Sequence, residues 1–164
     1  MVRQGGGLMA GRRRWWIVGL VLVALGVPVA WYLGSPLFIN RTIVEEFRGG
    51  GEVVRGTFTD ADNFHKGSGL ARVVRDGDQQ VLRLEEFRVT NGPDLYVYLA
   101  SHRQPRSRAD VDEGFVNIGR LKGNIGAQTY AIPAGVDLAR FRSVVIYCRA
   151  FHVVFSTATL APSQ

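Results

Sequence analysis

The sequence predicts an all-β domain, an antiparallel β-sandwich or barrel-like fold of about eight strands, that follows one N-terminal transmembrane helix. Two observations support this prediction. From residue 53 onward, short segments rich in β-branched and aromatic residues alternate with turn residues, and no ten-residue stretch has a convincing helical period. Ahead of them, residues 15 to 40 contain no charged residue.

An apolar run near the N-terminus predicts the membrane helix. The run from Trp15 to Leu33 is about 28 Å long as a helix, which matches the hydrocarbon core of a bilayer. Trp15 and Trp16 lie at one end and Trp31 at the other, where amphipathic rings prefer the headgroup level. Because Arg12 to Arg14 directly precede the run, we expect a cytoplasmic N-terminus. A cleaved signal peptide is the alternative, but its apolar region is usually shorter.

These features divide the chain into four predicted parts. They are a basic cytoplasmic tail at residues 1–14, the transmembrane helix at 15–33, a linker at 34–52 and the β domain at 53–160. The linker has glycines near both ends, which loosen the backbone. We expect a single-pass protein of the plasma membrane, with the lipid bilayer as the partner of the helix and an extracellular C-terminal domain.

The formal net charge of +6 does not indicate nucleic-acid binding. Arg3 and Arg12 to Arg14 supply four of these charges within the N-terminal tail. In the β domain, basic residues are interleaved with acidic ones, without the clustered stripe that phosphate binding requires. We therefore expect no nucleic-acid partner.

The strands of the β domain are predicted from their apolar segments. After a first strand from Val53, they lie at residues 70–75, 80–89, 95–100, 115–118, 129–132, 144–148 and 153–160. The sequence Asp76-Gly77-Asp78 between two of them is a strong hairpin signal. The spacing of Leu82 and Phe87 implies one bulge. Short helical turns are expected at residues 44–47 and 136–141.

The chain lacks the usual signatures of a hydrolase. No nucleophile elbow, zinc-ligand spacing or phosphate-binding loop is present in the sequence, so we expect neither a metal site nor a stand-alone enzyme. Tyr96, Tyr98, Tyr130 and Tyr147 fall in predicted strands and are interpreted as core or sheet-face residues.

Five segments of the predicted domain resemble one known family. They are Gly56-Thr57-Phe58, His65 to Gly69, Asn91 to Leu99, Leu121 to Tyr130 and Val144 to Phe151. In order and spacing they are similar to the DM13 domain family over about residues 53 to 160. The resemblance implies a β-rich extracellular domain for which a part in electron transfer has been proposed. That proposal centres on the cysteine, either as a bare thiol or as a ligand to a group such as haem.

Cys148 is the only cysteine of the chain and follows an apolar segment, which predicts a largely buried strand position. Four interpretations stay open: core packing, a redox thiol, a cofactor ligand or an intermolecular disulfide. On a straight strand, Arg149 points to the opposite face and His152 lies about 13 Å away. A proton acceptor or second ligand for the sulfur must then come from another strand.

His65 is the candidate neighbour of Cys148, because it lies in a family-like segment just ahead of a glycine-rich loop. A structural or surface histidine is the alternative interpretation. Two functions follow. One is a redox or electron-transfer domain centred on Cys148, in which His65 and haem are the candidate groups that contact the sulfur. Such a domain would act on a redox or cell-surface protein. The other is a non-catalytic recognition module with a buried structural cysteine.

Overall fold

The structure is a computed structural model that describes residues 7–35, 39–47 and 49–162. Within the first helix, the described side chains are those of residues 15–31 and 34. The chain divides into two compact units, Met1–Phe38 and Ile39–Gln164.

The first unit contains helix α1 (Gly7–Gly34), which includes Pro28. Ile17, Val18, Leu20 and Val21 point to different sides of this helix, and all of them are exposed. Among the residues that the structure describes, no helix is both long enough and apolar enough to span a membrane. The transmembrane helix is thus not confirmed and stays a prediction.

The second unit is mostly β-structure. Its described strands are β1 (Thr42–Val44), β2 (Glu52–Asp60), β3 (Gly67–Asp76), β4 (Gln79–Val89), β5 (Leu95–Ala100), β6 (Phe115–Arg120), β7 (Ile125–Ala131), β8 (Ser143–Cys148), β9 (Val153–Thr159) and β10 (Ala161–Pro162). A short helix α2 (Arg108–Asp112) precedes β6, and a 3₁₀ helix (Leu138–Arg140) precedes β8.

The strands form one mixed sheet in the order β1-β7-β4-β3-β2-β9-β8-β5-β6, and β10 pairs with β2. Among the described strands, every neighbouring pair is antiparallel except β1 and β7, which are parallel. The prediction of a purely antiparallel fold was therefore wrong at this edge. The parallel pair arises because residues 42–44, which lie in the predicted linker, form a strand that runs alongside β7 in the same direction.

The sheet curls around a single main core. Val73 of β3 and Val97 of β5 belong to the same buried cluster, although three strands separate β3 from β5 in the sheet. A smaller second cluster, built around Tyr98, Val145 and Tyr147, lies outside this main core. The curl therefore gives strands such as β8 two buried faces.

Strand β2 joins the two halves of the sheet. Its residues Glu52 to Thr57 pair with β3, whereas Phe58 to Asp60 pair with β9. Gly56 lies just before this change of partner, where an added Cβ would clash with the carbonyl oxygen of Thr159. A larger residue does not fit at this position without a backbone shift.

Several local predictions are confirmed. Asp76 pairs with Gln79 across the predicted hairpin, and Gly77 takes a φ of 59° in the turn. The predicted bulge of β4 lies between Leu84 and Phe87, where Glu86 has a φ of 49°. The 3₁₀ helix falls within the predicted helical turn at residues 136–141.

The segment that contains β1 is fixed to β7 instead of forming the predicted helical turn at residues 44–47. The Glu45 carboxylate accepts hydrogen bonds from Lys122 Nζ and from the backbone N–H of Thr129, both at 2.8 Å. The backbone N–H of Arg41 donates to Asn124 Oδ1 at 2.7 Å. Residues 41–45 thus belong to the β unit and not to a free linker.

Candidate functional site

Cys148 is the last residue of β8 and is fully buried. Its backbone pairs with Leu95 of β5 on one side and with Val153 of β9 on the other. Its side chain belongs to the main core, together with Ile146 and Phe155. The thiol is free and is shielded from solvent, so an intermolecular disulfide requires the fold to open locally.

The surroundings of Cys148 do not fit a haem. The sulfur lies in a close-packed apolar cluster, and a macrocycle on it would displace neighbours such as Leu95 and Phe155 from the main core. Among the described residues, the sulfur has no hydrogen-bond partner, so no second polar group marks a ligand site beside it.

His65 lies in the loop between β2 and β3. Its ring Nδ1 is 2.7 Å from Asp62 Oδ2, and its ring packs against Phe155 in a tilted arrangement at a centroid distance of 4.3 Å. Among the described contacts of His65, none involves Cys148. Phe155 belongs to the main core together with Cys148, and its ring also contacts His65.

The carboxylate of Asp62 organises this loop. Its Oδ1 accepts the backbone N–H groups of Phe64 and His65, each at 2.7 Å. The hydrogen bond from the His65 side chain is the largest of the effects that lower the pKa of Asp62 to about 2. The Asp62–His65 pair therefore holds the loop in place. This agrees with the interpretation of His65 as a structural histidine.

The other face of β8 carries an aromatic cluster. Because side chains alternate along a strand, Tyr147 points away from the main core while Cys148 points into it. The ring of Tyr147 lies 5.4 Å from that of Tyr98 on β5, and the Tyr98 ring stacks on Phe115 at 4.7 Å. The Arg149 guanidinium covers the ring of Tyr96 at 4.6 Å on the same side.

His152 completes this cluster from the turn between β8 and β9. Its Nδ1 is 3.5 Å from the hydroxyl oxygen of Tyr147. His152 has a φ of 56°, in the left-handed region that non-glycine residues seldom adopt, and such strain often occurs at functional sites. Burial is the main cause that raises the pKa of Tyr147 above its ordinary value of 10.0, so its hydroxyl stays protonated at neutral pH.

An open cavity of about 360 Å³, which we call the tyrosine pocket, is bordered by Tyr98, Phe115, Tyr147, Arg149 and His152, but not by Tyr96. Its lining combines aromatic rings with charged side chains of both signs: Asp94, Tyr98, Arg108, Val111, Asp112, Phe115, Tyr147, Arg149, Ala150 and His152. The volume is within the range of small-molecule sites.

Sequence reasoning missed the tyrosine pocket, although it assigned its tyrosines to strands. Tyr98 lies on one strand and Tyr147 on another, but only the register between β5 and β8 shows that their rings meet. The signal that was available is the period-two spacing of the aromatic residues, together with the short sequence between Tyr147 and His152.

Comparison with known families identifies the domain. The family profile described as electron transfer DM13 matches residues 57–160. The chain belongs to the DM13 family. Comparison with curated proteins and with solved structures gave no match. Both Cys148 and the tyrosine pocket lie in the part of the chain that the DM13 profile covers.

One further cluster of the DM13 domain has the composition of a metal site. Single ligand atoms of His102, Asp110 and Glu113 lie within 4.8 Å of one another. However, His102 Nδ1 accepts the backbone N–H of Gln104 at 3.2 Å, which places the ring proton on Nε2. The Asp110 carboxylate accepts the backbone N–H of Ser107 in a helix cap. These bonds account for the cluster, and we assign it no metal role.

We expect the Cys148 thiol to react slowly with an alkylating agent in the folded chain and rapidly in denaturant, because the sulfur is fully buried. Mass spectrometry over time measures both rates. Cys148→Ala is expected to lower the free energy of unfolding by about 1–2 kcal/mol through lost packing. As a control, Ala150→Cys in a Cys148→Ser background places a thiol on the exposed turn and should react fast. A fast reaction of Cys148 itself would contradict the burial.

We expect the carboxyl of Asp62 to titrate at about pH 2 in the folded chain. The folded-state pKa is below the ordinary value of 3.8, so the loop contacts stabilise the fold above pH 3.8 and are lost as the pH falls through about 2. Carboxyl NMR resonances measure this midpoint. In His65→Ala the midpoint should rise toward 3.8, because the largest cause of the shift is removed. An identical midpoint in the variant would show that His65 does not hold the loop.

Proposed function

We propose that the DM13 domain transfers single electrons and that Tyr147 is its pocket-facing redox group. The observation that supports this most directly is the position of Tyr147. Its ring forms part of the tyrosine pocket, and its hydroxyl oxygen lies 3.5 Å from a ring nitrogen of His152. A phenol loses an electron more readily when a base takes its proton, and His152 is the nearby base.

The proposed step balances one electron and one proton. A strongly oxidising one-electron acceptor, bound at the tyrosine pocket, takes one electron from the Tyr147 ring. The phenolic O–H bond breaks and the proton moves to Nδ1 of His152, which leaves a neutral tyrosyl radical. A one-electron donor then reduces the radical, and the proton returns from His152 to the oxygen.

Cys148 is the second redox group of this proposal, in keeping with the cysteine-centred role proposed for the family. It lies next to Tyr147 in the chain and directly behind the sheet that forms the floor of the pocket. Because its sulfur is buried and has no proton acceptor among the described residues, we propose that it takes part only when the fold opens locally. The thiol then gives one electron to the Tyr147 radical and its proton to water, which leaves a thiyl radical that the one-electron donor reduces. His65 then acts on it only through the packing of Phe155.

A recognition module is the alternative function, with Cys148 as core packing. The complete burial of the sulfur favours it, because a thiol without solvent contact is a poor nucleophile or ligand. The tyrosine pocket then binds a surface partner without any redox change, and loss of redox activity would leave this binding intact.

We further propose that helix α1 anchors the chain in the plasma membrane with the DM13 domain outside. Support comes from the charge-free residues 15–40, from the tryptophans near the two ends of the apolar run and from the arginines that precede it. The exposed apolar side chains on all sides of the helix agree with a lipid environment.

Photochemical oxidation of the full chain should give a tyrosyl radical at Tyr147, detected by electron paramagnetic resonance. Tyr147→Phe is expected to remove most of this signal. His152→Asn should lower the yield several-fold, because the proton acceptor is lost while asparagine tolerates the same backbone angle. Tyr96→Phe, on a ring that does not line the pocket, is the control and should keep the signal. A thiyl radical that disappears in Cys148→Ser would assign the electron to Cys148 instead.

We expect the turn at Asp78 to be labelled from outside intact cells. Asp78→Cys in a Cys148→Ala background gives one exposed thiol, which a membrane-impermeant maleimide modifies if the domain is extracellular. The protein should also stay with the membranes after alkaline carbonate washing. Labelling that requires permeabilised cells would refute the orientation, and release by carbonate would refute the anchor.

A further inference from the structure

The hydroxyl of Tyr98 is a polar group without a described partner. Tyr98 is 4 % exposed, yet among the residues that the structure describes its oxygen makes no hydrogen bond. Every fully buried side-chain oxygen in the described residues does have a partner. The Tyr98 oxygen therefore reaches open space, and the open space that Tyr98 lines is the tyrosine pocket.

Burial is also the main cause that raises the pKa of Tyr98 above its ordinary value of 10.0. At neutral pH the hydroxyl is thus an O–H donor that points into the pocket. Its ring is held in place because it stacks on Phe115 at 4.7 Å and contacts Tyr147. The pocket consequently offers a fixed hydrogen-bond donor next to flat aromatic surfaces.

The charged residues of the pocket favour a ligand without net charge. Arg108 pairs with Asp112 at 3.1 Å, and Arg149 covers the ring of Tyr96. Asp94 faces Arg120 at 3.7 Å. The lining contains two arginines and two aspartates, so the cations and anions balance and leave no strong preference for an anion or a cation.

From these observations we propose that the tyrosine pocket binds one neutral, planar ring with carbonyl or hydroxyl oxygens, of the quinone and hydroquinone class. The ring would pack against the aromatic floor, with one oxygen accepting the O–H of Tyr98 and another near the imidazole of His152. A cavity of about 360 Å³ accommodates one or two fused rings. The redox-active class of the ligand rests on the proposed electron-transfer function, in which the hydroquinone is the one-electron donor. It gives one electron to the Tyr147 radical and one proton to solvent and becomes a semiquinone, whereas the strongly oxidising acceptor is a different molecule. The ring shape and neutral charge rest on the pocket alone.

Binding of tetramethyl-1,4-benzoquinone to the full chain tests this proposal without any redox readout. This neutral ring is fully substituted and therefore does not add to thiols. Isothermal titration calorimetry and the NMR shifts of the pocket residues should report saturable binding. Tyr98→Phe, which keeps the ring and loses only the hydroxyl, should weaken binding about fivefold, as expected for one hydrogen bond. Tyr96→Phe on the same strand should leave the affinity unchanged.

Each result decides a separate point. Partition of the quinone into detergent is the same for every variant, so the difference between wild type and Tyr98→Phe isolates the pocket. No saturable binding to the wild type, or equal affinity in Tyr98→Phe, overturns the proposal. Tighter binding of an anionic ring, anthraquinone-2-sulfonate, overturns the neutral-ligand assignment. Quinone binding without a Tyr147 radical supports the binding site and refutes the proposed electron-transfer step. A Tyr147 radical without quinone binding supports the electron-transfer step and refutes the binding site.

Discussion

The shared strand β2 is the constraint on which the rest of the DM13 domain depends. Its first part pairs with β3 and its last part with β9, and the change of partner follows Gly56, where the Thr159 carbonyl leaves no room for a side chain. Because one strand belongs to both halves, the sheet has to curl, and the curl closes the main core. The strands that follow β9 in the sheet, β8 and β5, are then covered on both faces.

This burial on two faces separates the chemistry of neighbouring residues. Cys148 points into an apolar core, whereas Tyr147, one residue earlier, points to a pocket that also contains charged groups. The alternation of a β-strand is sufficient for this separation, and it needs no special loop. The turn after β8 then brings His152 back toward Tyr147 at the cost of a left-handed backbone angle.

Much of this fold was predictable from local patterns, but the site was not. The predicted strands 95–100 and 144–148 agree with β5 and β8 to within one residue, and the Asp-Gly hairpin formed, because period and turn chemistry are encoded locally. β1 escaped prediction because three residues carry no readable period and its register depends on contacts of Glu45 with β7. His65 is paired with Asp62, and no described contact joins it to Cys148, so their pairing stays a prediction. Cross-strand neighbours of this kind depend on register, which the sequence does not reveal.

Whether Cys148 or Tyr147 is oxidised more easily depends on where the proton released by oxidation can go. Oxidation of a neutral thiol or phenol by one electron releases a proton, and a low-dielectric core makes the charged product unfavourable unless a base accepts it. Among the described residues, the Cys148 sulfur has no such partner, whereas the Tyr147 oxygen has His152. Tyr147 is thus the more favourable site of oxidation in this geometry. Cys148 lies on the other side of the same strand, where its packing in the main core keeps the residues that support Tyr147 in register.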